Sequence, residues 1–311
     1  MTFTRTGYEP MKSALAAGVE RLIAEQTASW PLLASGVEGL RKALTRTERV
    51  AGRELFVRHI PHRIGSTTAA VDAASVARRP CFLCTANMPP EEKGLAFDEE
   101  FTLYCNPFPI LEGHLTIVHR DHRPQRIAGF FETLLRLSEA LPGFFVIYNG
   151  PECGASAPDH LHFQACSRAL FPIERDSKET PGPCIPNYAR QVLLLRHNDG
   201  AALQDRLQFA VDAIAEVAGA ESEPLINIAA FHDEGRWTVV LFPRRKHRPR
   251  VYETGELTVS PAAIDLCGVF VVPVLSDYRR IRGADIESIF EEVTMPSDLF
   301  NRVLARLQDV L

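Results

Sequence analysis

Two histidines and a glutamine alternate in His160-Leu-His162-Phe-Gln164. In an extended chain alternate side chains share a face, so the spacing predicts a strand presenting His160, His162 and Gln164 together. Three polar groups on one face of an otherwise apolar strand need partners, and a ligand or a metal can supply them. The small-residue turn Gly154-Ala155-Ser156 just before them fits such a site better than a solvated histidine pair does. A second set is Cys81-Phe-Leu-Cys84. Two thiolates three residues apart can clamp zinc, which needs two further N or S ligands to complete a tetrahedron. His122 and His160 complete a closed Cys2His2 set, against the plainer alternatives of a redox pair or chance spacing. A basic turn, Arg244-Arg-Lys-His-Arg248, has the chemistry to bind phosphate or a polyphosphate tail, Arg248 above all, or else to stand as a solvated loop. His59, His62, His119, His197 and His232 fall in no pattern and read as structural or exposed.

The elements that must position these groups are strands with helices between them. Phe101–Cys105, His114–Val118, Phe144–Tyr148 and His160–Ala165 read as strands, with turn residues at Asn106-Pro-Phe-Pro109 and Glu112-Gly113. An amphipathic helix is expected over 124–140, starting at a proline. Residues 11–47 read as helical, 48–80 as mixed and polar with a loop at 65–68, and 173–186 as a Pro-rich crossing. Farther on, a helix is expected over 201–219, and strands over 225–229 and 237–242 around an Asp233-Glu234-Gly235 turn. A strand over 267–272 and helices over 284–292 and 297–310 follow. The run Leu115–Pro124 echoes Val239–Pro249, each a strand followed by a basic turn and His-Arg-Pro. Helices segregated from antiparallel strands indicate α+β, with two half-related lobes in one composite unit.

Composition bounds the function. The 311 residues carry 34 Lys+Arg against 39 Asp+Glu, a net charge of −5. That argues against wrapping a nucleic acid, though not against a small nucleotide. No run approaches a membrane span, and the first eleven residues lack the apolar stretch of a signal peptide. Seven scattered cysteines without a secretion signal suggest reduced thiols and a cytoplasmic setting.

The His160-Leu-His162-Phe-Gln164 motif resembles that of the histidine triad superfamily, in its nucleotidyltransferase and phosphorylase branch. The segment Asn106–Val118 with His122 is similar to that superfamily's strand and following turn. The Cys81/Cys84/His122/His160 set is similar to the structural zinc site of the uridylyltransferases. The resemblance covers about 81–174 strongly and 225–282 loosely, and it leaves the N-terminal helices uncovered. It implies an antiparallel sheet with helices packed on it. The domains expected are an N-terminal helical segment over 1–75, a histidine-triad-like catalytic lobe over 76–195 that carries the motif, and a half-related lobe over 196–311 that completes the cleft. His162 would attack the α-phosphorus of a nucleotide, with His160 beside it in the catalytic set. Gln164 would donate to the phosphoryl oxygen, which in this family marks transferases rather than hydrolases. Asn149 and the turn Gly154, Ala155, Ser156 would meet the phosphates, and Asn106 is a weaker nucleotide contact. That turn lies one place farther from His162 than in the uridylyltransferases, which favours phosphorylase-like members. The implied reaction acts on a dinucleoside polyphosphate of the Ap4A type or a nucleoside diphosphate sugar of the GDP-hexose type, with phosphate as acceptor, structural zinc, and a homodimer left open. A hydrolase of the same superfamily and a non-catalytic nucleotide- or zinc-binding module are the alternatives.

Overall fold

A computed structural model describes residues 5–308, with side chains from Ala14 onward. The chain opens with helices α1 (Arg5–Ser29) and α2 (Pro31–Arg41) and the hairpin β1 (Leu44–Val50) and β2 (Arg53–His59). Strands β3 (Gly94–Ala96), β4 (Phe101–Cys105) and β5 (Leu115–His119) follow. Helix α3 (Phe131–Ala140) leads to β6 (Phe144–Asn149) and β7 (His162–Ser167). After α4 (Pro172–Lys178) and β8 (Leu193–His197), helix α5 (Gly200–Ala218) leads to β9 (Ile226–Asp233) and β10 (Arg236–Pro243). The chain closes with α6 (Ala263–Leu266), β11 (Val269–Val272), α7 (Gly283–Val293) and α8 (Ser297–Leu307).

Eight strands form one antiparallel sheet in the order β3-β4-β5-β7-β6-β9-β10-β8. One face is closed by α1, α3, α5 and α8, whose apolar stripes (Leu22, Leu134, Leu207, Val303 among them) meet Phe163, Val146 and Leu241. On the other face β1, β2 and β11 form a second sheet that covers only the β6-to-β8 half, burying Val240, Phe242 and Phe231 against Phe270 and Phe290. The expected α+β class with a central antiparallel sheet holds. Among the described residues no helix is long and apolar enough to cross a membrane.

The relation between halves is topological: β5-α3-β6-β7 repeats as β8-α5-β9-β10, with β6 and β9 adjacent at the centre. This corrects the sequence echo, which aligned β5 with β10. The equivalent strands are β5 with β8 and β7 with β10, and the shared His-Arg-Pro turn marks no equivalence.

Other boundaries differ for local reasons. Residues 44–47, expected as the tail of a helical stretch, and 48–50, expected as mixed and polar, form strand β1. Most of that strand is exposed, so it shows no apolar alternation. It turns at Ala51 (φ 48°) and Gly52 (φ 78°), which suits a two-residue hairpin. The helix expected from 124 starts only at Phe131, because the Ile127 N–H donates to the Glu223 carboxylate (2.6 Å) and Gly129 takes φ 82°. Residues 64–67 make one helical turn where a loop was read, and the Pro-rich crossing contains α4. The strand read from Cys267 starts at Val269. The β9–β10 hairpin turns at Glu234 and Gly235, both at positive φ, as read.

Candidate active site

The motif strand is shorter than its spacing suggested, and this separates its two histidines. β7 begins at His162, so His160 lies before it and does not share the face of His162 and Gln164. The His160 Nε2–H donates to the His119 carbonyl (2.7 Å), which leaves Nδ1 as the lone-pair nitrogen. That Nδ1 sits 3.3 Å from Cys81 Sγ and 3.6 Å from Cys84 Sγ, while His122 Nδ1 is 3.3 Å from Cys84 Sγ. The four ligand atoms of Cys81, Cys84, His122 and His160 lie within 4.8 Å of one another. A borderline-soft dication is what two thiolates and two imidazoles suit, and the carbonyl behind His160 fixes its tautomer as an outer partner should. The placement ties the loop after β5 to the segment before β3, and it separates His160 from the face that carries His162 and Gln164.

His162 is buried, and its Nδ1–H donates to the His160 carbonyl (2.8 Å). The lone pair therefore resides on Nε2. Burial pushes its pKa down to about 4, so the imidazole is neutral at pH 7. Gln125 clamps its backbone: Gln125 Oε1 accepts from the His162 N–H (2.8 Å), and its Nε2 donates to the carbonyls of His162 (3.0 Å) and Asn149 (2.9 Å). Gln164 is oriented by His114. His114 Nδ1 accepts from the Ile110 N–H (3.2 Å), so its Nε2–H donates to Gln164 Oε1 (3.1 Å). With its oxygen engaged, Gln164 has its NH2 left to donate. Burial, with Arg63 nearby, pushes His114 down to about 3 and keeps it neutral. Sequence pattern found neither Gln125 nor His114 as a functional group, because the roles of both depend on partners far along the chain.

His162 and Gln164 line a cavity of about 630 Å³ that also contains Trp30, Leu32, Arg63, Phe82, Asn106, Phe108, Thr116 and Ser156. Three of its walls are large apolar side chains left open to solvent: Phe82 (48% exposed), Leu32 (44%) and Phe108 (39%). Asn106 lines it too, with its amide engaged internally: Nδ2 donates to Thr116 Oγ1 (3.1 Å) and Oδ1 accepts from the Phe108 N–H (2.9 Å). His62, read as patternless, lines the same cavity, with Nε2 at 2.8 Å from the Pro109 carbonyl.

A narrow pocket of about 50 Å³ adjoins it through the shared Arg63, Ser66, Ser156 and Gln164. Here stand Asn149, Gly154, Ala155 and Ser156 from one half and His247 and Arg248 from the other. Asn149 Oδ1 is taken by Asn227 Nδ2 (2.7 Å) and the Ala263 N–H (3.0 Å), so only its Nδ2 can serve a ligand. Gly154 has φ 99°, and a Cβ there would lie 2.6 Å from that of Ala262. The turn therefore needs glycine twice over.

The basic turn divides in two. Arg244 is buried with its guanidinium spent on Asn227 and on the carbonyls of Val293, Pro261, Lys246 and His247, so it shapes the turn and meets no ligand. Arg248 reaches the pocket, held by Ser260 Oγ (3.2 Å) and the carbonyls of Thr67 and Ala69 (2.9 Å each). Arg63 joins it from the N-terminal segment, with its Nη1 on the Phe108 carbonyl (3.0 Å). Burial lowers Arg63 to about 10, still cationic at neutral pH, and holds His247 at about 4, neutral beside two arginines. A third hollow of about 700 Å³ under α1 and α2 includes His114 and Asn106 but neither His162 nor Gln164.

The antiparallel sheet thus carries a buried His162 and a half-buried Gln164 side by side on its open face. The chain superposes on yeast Ap4A phosphorylase Apa2 in complex with AMP at TM-score 0.59, with 16% identity over 89% of this chain and 96% of that one. The complex of the same enzyme with Ap4A gives 0.58 and 16% over 85% and 96%, and the structure without a named ligand gives 0.56 and 16% over 86% and 98%. The family profile named Domain of unknown function (DUF4922) matches residues 22–167. No curated protein matches by sequence.

Proposed function

We propose that the chain is a nucleotidyltransferase of the phosphorylase kind that works through a covalent nucleotidyl-His162. Its substrate is a dinucleoside polyphosphate or a nucleoside diphosphate sugar, and inorganic phosphate is the acceptor. The observation that carries this is the hydrogen bond at His162: Nδ1–H is held by the His160 carbonyl, which leaves the lone pair on Nε2 of a ring that lines the cavity together with Gln164. In the first step Nε2 forms a bond to the α-phosphorus, and the bond from phosphorus to the bridging oxygen breaks. The leaving group departs with that electron pair. In the second step a phosphate oxygen attacks the same phosphorus, which releases a nucleoside diphosphate and returns the lone pair to Nε2. Gln164 would donate to the phosphoryl oxygen through both steps. Asn149, the Gly154–Ser156 turn and Arg248 would hold the flanking phosphates. The apolar walls Trp30, Phe82 and Phe108 would take the base. The likeness in fold to an Ap4A phosphorylase supports this reading.

Within this reading residues 1–75 act as an N-terminal segment, 76–195 as the catalytic lobe and 196–311 as the completing lobe. Zinc, held by Cys81, Cys84, His122 and His160, would be structural, because four protein ligands leave no open position.

Incubation with nucleotide labelled at the α-phosphate should leave an acid-labile covalent label that vanishes in His162→Ala. A label that persists in that variant defeats the proposal, and a nucleoside monophosphate formed from water without phosphate would point to a hydrolase. Metal analysis should find about one equivalent of zinc, lost in Cys81→Ser together with thermal stability. Less than a quarter equivalent in the wild type would defeat the zinc assignment.

A further inference from the structure

The cavity holding His162 extends well past the phosphate-facing groups. Sheet register places Gln164 opposite Thr116, Thr116 opposite Tyr104, and Tyr104 opposite Gly94. Three strand spacings, roughly 14 Å, separate β7 from β3. That is comparable with the span of a nucleoside monophosphate from phosphorus to the far edge of its base. Glu92, two residues before β3, lines this same cavity.

Its setting is unusual for a carboxylate. Among the described residues its side chain makes no hydrogen bond or ion pair, and Met88 and Trp30 share its cavity. The neighbouring cation, Lys93, is turned to the Pro90 carbonyl (2.5 Å). Burial alone pushes the Glu92 carboxyl up to about 7. A half-buried acceptor pair without a donor is unfavourable unless a ligand brings donors.

We propose that Glu92 reads the base of the nucleotide and selects guanine. Guanine alone among the common bases presents two adjacent donors, N1–H and the N2 amine, on one edge, matching the two oxygens of one carboxylate. Adenine offers one donor beside an acceptor, and uracil one donor between acceptors. The inference rests on the nucleotide-binding reading above and deepens it.

Titration calorimetry of the full chain at pH 8 with GMP, IMP and AMP tests it. Wild type should bind GMP at least roughly tenfold more tightly than AMP, with IMP, which lacks the N2 amine, between them. Glu92→Gln should reduce the GMP preference below about threefold, Glu92→Asn should do the same, and Glu91→Gln at the exposed neighbour should keep it. AMP binding as tightly as GMP, or a preference retained in both Glu92 variants, overturns the guanine assignment and leaves the His162 label untouched. Failure of all three nucleotides to bind wild type overturns this inference and the proposed function together.

Discussion

One row of paired residues crosses the whole sheet and changes character at its middle. From the β3 edge it reads Gly94, Tyr104, Thr116, Gln164, then Ile147, Ala229, Val240, Leu194. The strands are the same kind of element in the same repeated topology, and these side chains share one face. The first half carries polar groups and borders a cavity, whereas the second is wholly apolar and lies under β1, β2, β11 and α7. The difference lies in the cover. Where a second layer packs on the face, a polar side chain would be desolvated without partners, so Val240 and Phe242 stand at the positions of β10 that face it. Where the layer is missing, polar groups can be kept for a ligand. The duplicated half therefore supports the site from one side, through Asn227, His247 and Arg248, without repeating its chemistry.

The contrast can be broken by truncating one residue on each side. Phe242 is fully buried under the second layer. Phe242→Ala should lower the unfolding free energy by about 3–5 kcal/mol, since it removes a large ring from a packed core. The activity per folded molecule should stay within a factor of two. Gln164→Ala should do the reverse, reducing kcat by roughly 10²-fold or more, as loss of an oxyanion donor does, with little change in denaturant midpoint. If Phe242→Ala lowers activity per folded molecule as much as Gln164→Ala does, the covered half is part of the reacting site and the division fails.

Much of this was legible before any coordinates. The alternation around His162, the Cys-x-x-Cys pair with His122 and His160, and the strands at 101–105, 114–118 and 144–148 depend on local spacing, and spacing is what a sequence records. What was hidden depends on long-range partners. His160 reads as a strand residue because Leu161 and Phe163 alternate with it, yet the strand begins only at His162, so of its two expected places the one beside Cys81 and Cys84 holds and the one beside His162 does not. The hairpin β1–β2 lacks apolar alternation because β1 is largely exposed, while β2 pairs in parallel with β11, more than two hundred residues on. Trp30, Arg63 and Glu92 enter the cavity from three separate places, and none of the three belongs to a motif. The basic turn shows as charge, and Arg248, singled out there, lines the pocket, whereas the burial of Arg244 among carbonyls leaves no mark in the sequence.

The finest test concerns a residue that touches no substrate in this reading. His114 positions Gln164: its Nε2–H holds the amide oxygen, and so decides which end of the amide faces the phosphoryl group. His114→Phe keeps an aromatic ring of similar size and removes both nitrogens. The Ile110 N–H loses its acceptor, which should cost about 1–3 kcal/mol of stability. A merely structural histidine would stop there. A positioning histidine adds a selective loss, with kcat down by roughly tenfold and KM for the nucleotide nearly unchanged, because the freed amide turns its oxygen toward the phosphoryl group part of the time. The double variant with Gln164→Ala is decisive. Once the amide is gone, its orientation has no meaning, so His114→Phe should cause no further fall in kcat in that background. Independent, multiplicative losses would show that His114 acts on the reaction by another route, or only through the fold.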